Sequence, residues 1–293
     1  MKTFLNSIGF LTIIKIPQRL YLKKQVFWKT SYFFPLTGLI VGFLMSVLYL
    51  ALTFVLPSFA CIVIVLGFEV LITGAMHLDG FSDAIDGVFS GETDKSKILE
   101  IMKKSDIGVF GVLALIFLFA LKFTFFYLLI NLGNSDIYGV ITFIAFMPAF
   151  GRWTINYNFN RYGKSNRSGS LVNAFINEAN KKVFGVSTFY LFYLMLLQVL
   201  LFGFFNKDEY FLNFSGLSLR ILKNGSIDAS LVFFLVPLIK ICLVIILIYL
   251  ITIMLSKYFL KKIGNLSGDG VGAIVEITEV LFLFLSYIIV RFL

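Results

Sequence analysis

Charge is scarce in this chain. Asp, Glu, Lys and Arg make up 14% of its 293 residues, against about a quarter in a soluble domain, which excludes an ordinary water-soluble fold. Cysteine is nearly absent as well. Cys61 and Cys242 stand far apart inside apolar runs, so they form neither a disulfide framework nor a thiolate metal site and read as small buried hydrophobes. The first apolar stretch is not followed by a small-residue cleavage site, so no removed leader is expected. No internal repeat or low-complexity linker divides the chain, and residues 1–293 are read as one domain.

What the sequence has is apolar length: 59% hydrophobic residues, 36 of them phenylalanine. Runs of about twenty apolar residues recur, each able to cross a hydrocarbon layer about 30 Å thick. They are continuous rather than alternating, which excludes a β-barrel. The expected fold is all-α, a polytopic membrane bundle of six or seven transmembrane helices with short interfacial helices. The spans are placed at Tyr32–Leu56, Pro57–Met76, Val109–Ile130, Ile137–Trp153, Phe184–Phe204, Leu231–Leu255 and Val271–Phe292. Phe4–Ile16 is too short to cross and reads as an interfacial lead-in.

The net charge of +9 points to a membrane surface and not to nucleic acid. With the N-terminus inside, nineteen of the 25 Lys and Arg fall on one side, the positive-inside pattern. That orientation places Asp79–Asp106, the Arg152–Lys182 loop and the Lys257–Asp269 loop in the cytoplasm, with the chain in the plasma or inner membrane. The Asn131–Asp136 turn carries no Lys or Arg, as an external turn should. Lys122 and Lys240 fall within spans.

The stretch TGAMHLDGFSDAIDGVFSG, Thr73–Gly91, sets three aspartates after the sole histidine, His77. On a helix, Asp79, Asp83 and Asp86 fall within about 60° of one another. Carboxylates so clustered repel unless something positive sits among them, and magnesium uses a few carboxylates plus phosphate oxygens. Two other readings stay open: a solvated helix start, because acids favour N-termini, and an ion relay in a transporter. Gly80 and Gly87 suit close approach of a ligand to the backbone. His77 projects away from the aspartates, toward a substrate or a neighbouring helix. Glu69, inside a span, either faces the bundle interior or pairs with Lys122 or Lys240.

Three further features accompany this face. Lys95, Lys97, Lys103 and Lys104 alternate with Ile98, Leu99, Ile101 and Met102, a short amphipathic interfacial helix, and Asp106, Gly108 and Gly111 then open a helix whose N-terminus suits an anion. Near the C-terminus, Asp269, Glu276 and Glu279 share one face among Gly264, Gly268, Gly270 and Gly272. Glutamates inside a span imply a polar cavity, although helix-packing glycines with a capping Asp269 account for the pattern equally. Arg152, Arg161, Lys164 and Arg167 alternate with Trp153, Tyr157, Tyr162 and Asn166. They suit phosphate and a ring or an ordinary positive loop, and Arg152 is the candidate functional arginine.

Taken together, these segments resemble the cobalamin synthases, the adenosylcobinamide-GDP ribazoletransferases. The likeness is carried by TGAMHLDGFSDAIDGVFSG with ILEIMKKSDIGVFGVLALI, by FLTIIKIP and FFPLTGLIVG, by GNLSGDGVGAIVEITEVLFL and, more loosely, by GRW and RSGSLVNAF. Ser267 stands where the family often has threonine, and Asn206–Asp228 has no counterpart. The resemblance implies a magnesium-dependent membrane phosphotransferase that joins α-ribazole or its 5′-phosphate to adenosylcobinamide-GDP and releases GMP. It maps the family's histidine and aspartates onto His77, Asp79, Asp83 and Asp86, and its Gly-Asp onto Gly268 and Asp269. The expected site is therefore Asp79, Asp83, Asp86 and Asp269 for metal and chemistry, with His77, Arg152, Gly80 and Gly268 for substrate. The expected partners are those substrates and the lipid bilayer, and homo-oligomerisation is left open. A CDP-alcohol phosphotransferase fits less well, because Phe81–Ser82 replaces its Ala-Arg and the acids are compressed. A cation-coupled transporter would show inverted repeats, which this sequence lacks.

Overall fold

The computed structural model describes residues 1–104, 106–132, 137–162, 175, 181–205, 229–264 and 267–292. Among the described residues every regular element is helical, as the continuous apolar runs require. Seven long helices occupy the seven expected ranges: α3 (Phe34–Thr53), α4 (Ser58–Thr73), α7 (Val109–Ile130), α8 (Ile137–Tyr162), α9 (Lys181–Phe205), α10 (Ala229–Ile263) and α11 (Gly268–Phe292). Among the described residues, four stretches are long and apolar enough to cross a membrane, or five if the bent pair of α4 and the next helix counts as one. The expected six or seven spans are not reached by that measure. Arg152, Asn156 and Asn158 interrupt the apolar run of α8.

The shorter helices are α1 (Lys2–Leu11), α2 (Lys24–Phe27), α5 (Met76–Phe89) and α6 (Lys95–Ile101). Two helices outrun their apolar segments. α8 continues to Tyr162, so the loop expected after Arg152 begins later, and α10 ends on Lys261 and Lys262 in its last turn, where cations meet the negative end of the helix dipole. Lys164, Asn166, Arg167 and the Asn206–Asp228 segment lie outside the described residues, as do parts of the Asn131–Asp136 and Lys257–Asp269 connections.

Small residues set the tightest joint. α3 packs most extensively on α8 through Gly38, Gly42 and Ser46, spaced four apart. A Cβ on Gly38 would stand 2.7 Å from the Ala149 Cα, and one on Gly42 would stand 2.7 Å from the Ala145 Cα. The Ser46 hydroxyl crosses the same interface to the Ile141 carbonyl at 3.2 Å. Between apolar helices in lipid, such close backbone approach supplies the packing that a hydrophobic effect cannot.

α11 is the central helix: 61% of its most apolar window is buried, against 22% in α7 and α10. It contacts α5, α7, α8 and α10, so whatever it carries at its start is held against four neighbours. α4 ends in a Schellman turn, with the Ala75 N–H donating to the Val70 carbonyl (3.1 Å) and the Gly74 N–H to that of Leu71 (3.2 Å). Gly74 and Ala75 both adopt left-handed backbone, φ +63° and +56°, a cost of about 1 kcal/mol or more for the alanine. This pair turns the chain by 92° and lays α5 across one end of the bundle. The Ile13 N–H donates to the Ile72 carbonyl at 2.8 Å, so the N-terminal segment seals the end of α4 beside that turn.

Replacing Gly42 by valine drives a side chain into the backbone of α8. Such overpacking costs about 1–3 kcal/mol, and the substitution is expected to lower the thermal unfolding midpoint of detergent-solubilised protein measurably, whereas alanine at the exposed Gly67, where a Cβ meets nothing within 4 Å, leaves α3 and α8 packed as before.

Candidate active site

α5 separates two chemistries on its two faces. Leu78, Phe81, Ala84 and Val88 are buried and join a core with Ile98 and Met102 on the α6 side, Phe259 and Ile263 of α10, and Val271 and Ile274 of α11. Met102 fills the space beside Gly87. The opposite face carries Asp79, which is exposed, and Asp83 and Asp86, which are half-buried. The helical spacing therefore does place the three carboxylates together, because the apolar face leaves them no other side.

α11 brings the fourth carboxylate. The Cα of Asp269 lies where a Cβ on Gly80 would be, at 2.8 Å, and a Cβ on Gly272 would stand 3.0 Å from the His77 carbonyl. Two glycines thus let α5 and α11 touch backbone to backbone, and Asp269 arrives beside Asp79 and Asp83. Gly80 was expected to admit a ligand to the backbone; α11 takes that space instead. Gly268 opens α11 and is exposed.

Asp83 sits at the centre of the negative field. Partial burial, with Asp79, Asp269 and Asp86 near it, pushes its carboxyl up to about 6. The folded chain then holds this proton more tightly than the unfolded chain does, so Asp83's contribution to stability is fully present below the ordinary carboxylate range. It is lost as pH rises through about 6, as that carboxyl ionises among its neighbours. A bound cation would invert this field.

Asp86 has a second task. Its Oδ2 accepts the Gly108 N–H at 2.7 Å and its Oδ1 accepts the Gly111 N–H at 2.8 Å. The anion expected at the start of α7 is thus a side chain of α5, capping a helix whose first N–H groups have no internal partner. Glycine at 108 and 111 leaves room for the carboxylate, and the Ser82 hydroxyl, buried without a hydrogen-bond partner, lies against Gly111.

Among the described residues, no three His, Cys, Asp or Glu side chains converge into a metal-binding group. The acidic face therefore fits an ion that takes one or two carboxylates and completes its shell with water and phosphate oxygens, as magnesium does. It does not fit an all-protein cage.

Beneath this face lies a cluster that the sequence reading saw only in pieces. The Lys122 ammonium of α7 donates to Glu276 at 2.8 Å, Glu279 at 2.5 Å and Glu69 at 3.3 Å. The Arg152 guanidinium of α8 pairs with Glu279 and stands 3.7 Å from Glu69. Arg152 is 1% exposed, Lys122 2% and Glu279 0%. Arg152 was expected to neutralise substrate phosphate. Its charge is spent inside the bundle, because a buried arginine beside two carboxylates cannot also face solution. Glu276 and Glu279, expected to line a polar cavity, are paired instead, and of the alternatives for Glu69 the Lys122 pair is formed. His77 is buried, with its Nδ1 unpartnered and its carbonyl against α11; of its two expected neighbours, the structure supplies the helix.

The rest of this end is built from side chains to backbone. Asn156 donates to the Ser31 carbonyl at 2.9 Å, and the Tyr190 hydroxyl donates to that of Tyr32 at 2.8 Å. Trp153, Tyr157, Phe184 and Tyr249 pack ring on ring beside them. This aromatic group includes two residues expected to meet a ring, but the four rings form five pairs among themselves, two of them edge-on, and the rings meet each other.

Against known proteins, the cobalamin-5-phosphate synthase family matches residues 3–287. Relatives named adenosylcobinamide-GDP ribazoletransferase include one from Clostridium botulinum (strain Loch Maree / Type A3), 34% identical and covering 97% of this chain and 96% of its own. One from Thermoanaerobacter sp. (strain X514) is 30% identical over 95% of this chain and 94% of its own. One from Fusobacterium nucleatum is 30% identical over 100% and 99%. No solved structure matches the chain.

Replacing Asp86 by alanine leaves two N–H groups of α7 without their acceptor. A lost cap costs about 0.5–2 kcal/mol, and amide exchange at Gly108 and Gly111 is expected to accelerate well before that of α11; equal protection in the variant would show that water caps the helix as well as Asp86 does.

Proposed function

The chain belongs to the cobalamin-5-phosphate synthase family, and from that premise we propose that it joins α-ribazole, or α-ribazole 5′-phosphate, to adenosylcobinamide-GDP and releases GMP. It is a transferase of the last steps of cobalamin synthesis. The observation that carries this reading is the match along nearly the whole chain together with the acidic face that α5 and α11 assemble inside it.

In the transfer, a ribose hydroxyl attacks the cobinamide-side phosphorus of the diphosphate. A new O–P bond forms, the P–O bond to GMP breaks and the hydroxyl proton leaves. Little covalent chemistry is asked of the protein in such a step, and positioning with charge neutralisation does most of the work. Asp83, with Asp79 or Asp269 beside it, would hold a magnesium ion at the diphosphate, and the ion would supply the positive charge that Arg152 does not. One carboxylate of the group accepts the hydroxyl proton. Asp86 keeps α7 joined to α5, so it supports the face from behind. The exposed Gly268 and Asp79 mark its open side.

The same end of the bundle carries Lys95 and Lys97 of α6 and Lys261 and Lys262 of α10, with Lys95 lying over Gly264. This gathering of cations supports a multi-pass placement in the cell membrane with the acidic face in the cytoplasm. A cation relay through the bundle finds no support here, since the acids inside it are paired with Lys122 and Arg152.

Membranes or detergent-purified protein given adenosylcobinamide-GDP and α-ribazole should release GMP, and chelating divalent cations should stop the release. Asp83→Asn is expected to reduce it by about 100-fold or more, the scale of a lost charge group at a transferring phosphate, with insertion and unfolding midpoint retained. An active Asp83→Asn enzyme would overturn the placement of the site; no GMP from the wild type with either ribazole would overturn the function.

A further inference from the structure

The buried ionic cluster joins four helices that lead to or brace the acidic face. Glu69 is on α4, which leads through the Gly74–Ala75 turn into α5; Lys122 is on α7, Arg152 on α8, and Glu276 and Glu279 on α11. Three carboxyl groups face two cations in a buried setting where unpaired charge is costly. A set of apolar side chains would hold four helices together at less risk, because a buried ion pair often stabilises no more than a hydrophobic replacement. What ion pairs add is direction: each Nζ–H or guanidinium N–H must meet a particular oxygen.

The cluster also sits at an informative depth. Glu276 lies two turns below Asp269 on α11, about 10 Å. Lys122 lies eleven residues below Gly111 on α7, about 16 Å. α7 is therefore fastened twice, at its top by Asp86 of α5 and lower down by Glu276 and Glu279 of α11. A helix held at one point can pivot, whereas one held at two cannot. With α5 and α11 already in backbone contact at Gly80 and Gly272, the two fastenings close a triangle of α5, α7 and α11 around the four aspartates.

We infer that this cluster is a clamp that fixes the geometry of the acidic face, and that Lys122 and Glu279 are positioning residues for the transfer. The inference rests on the function proposed above, and it makes one statement that does not depend on it: loosening the clamp loosens the joint of α5 and α7 before it unfolds the bundle.

The test uses the full chain in lipid nanodiscs. Lys122→Met combined with Glu276→Gln removes one cation and one acid together and leaves Glu69 and Glu279 against Arg152, while α7 loses its lower tether. Glu279→Asp keeps the charge and withdraws it by one methylene from both cations. Either variant is expected to keep an unfolding midpoint near that of the wild type. GMP release per folded enzyme should fall at saturating substrate by at least about tenfold, toward the roughly 100-fold that a misplacement of about 1 Å can cost, with KM for adenosylcobinamide-GDP little changed. Amide exchange should rise at residues 108–111 and in Met76–Phe89 but not in α3 or α10. If the cluster only stabilises the fold, kcat per folded enzyme stays within about twofold of wild type or exchange rises evenly along all helices, and either result overturns the inference. Should the double variant fail to accumulate, Glu279→Asp decides alone. A wild type that releases no GMP refutes the proposed function, and the exchange comparison still decides the clamp.

Discussion

A carboxylate in hydrocarbon must be matched by a cation, and this chain buries three of them on two different helices. Among the described residues, Lys122 and Arg152 answer Glu69, Glu276 and Glu279, so α4, α7, α8 and α11 can pack only in arrangements that bring those five side chains to one place. Removing one partner of such a set costs about 3–5 kcal/mol, more than any single apolar contact in the bundle. Apolar packing alone would permit α7, most of which faces outward, to rotate or slide. The charges permit neither.

The site follows from that constraint by short steps. α11 is fixed from below by its glutamates, so its first turn is fixed too, and Asp269 with it. α5 cannot drift from α11, because Gly80 and Gly272 admit backbone where any larger residue would hold the two apart. Asp86 then ties α5 to the start of α7 through two N–H groups. The negative potential at Asp83 results from this bracing and is the property that makes the face attractive to a cation. The protein concentrates like charge at its polar end and balances opposite charge inside.

The all-α fold and the placement of the long helices were legible in the sequence, since continuous apolar length has one structural meaning in lipid. So was the shared face of Asp79, Asp83 and Asp86, which needs only the helical repeat. The family was legible in the run of motifs. The destination of single charges was not. Arg152 read as a phosphate ligand because it follows an apolar run and precedes a basic, aromatic stretch, yet α8 continues past it to Tyr162 and carries it into the interior. Gly80 read as room for a ligand, and a close approach of α11 uses the same room. In both cases the local pattern was correct, while the partner came from a helix more than a hundred residues away, which no periodicity encodes.

The one signal that would have found the cluster was present as a shortage. Lys122 and Glu69 are single charges in otherwise apolar runs, and Glu276 and Glu279 stand together in a third; a charge kept in such a place has a partner of opposite sign. Two cations and three acids already imply a mutual set, with Lys240 left for other contacts. The same arithmetic explains why the acids proposed for catalysis are elsewhere: a carboxylate claimed by a buried cation has little negative field left for a metal or a proton. Phosphoryl transfer needs acids crowded by other acids and open to solution on one side. That arrangement is stable only at the end of the bundle, where water screens Asp79 and the clamp below keeps α5, α7 and α11 from relieving the repulsion by moving apart.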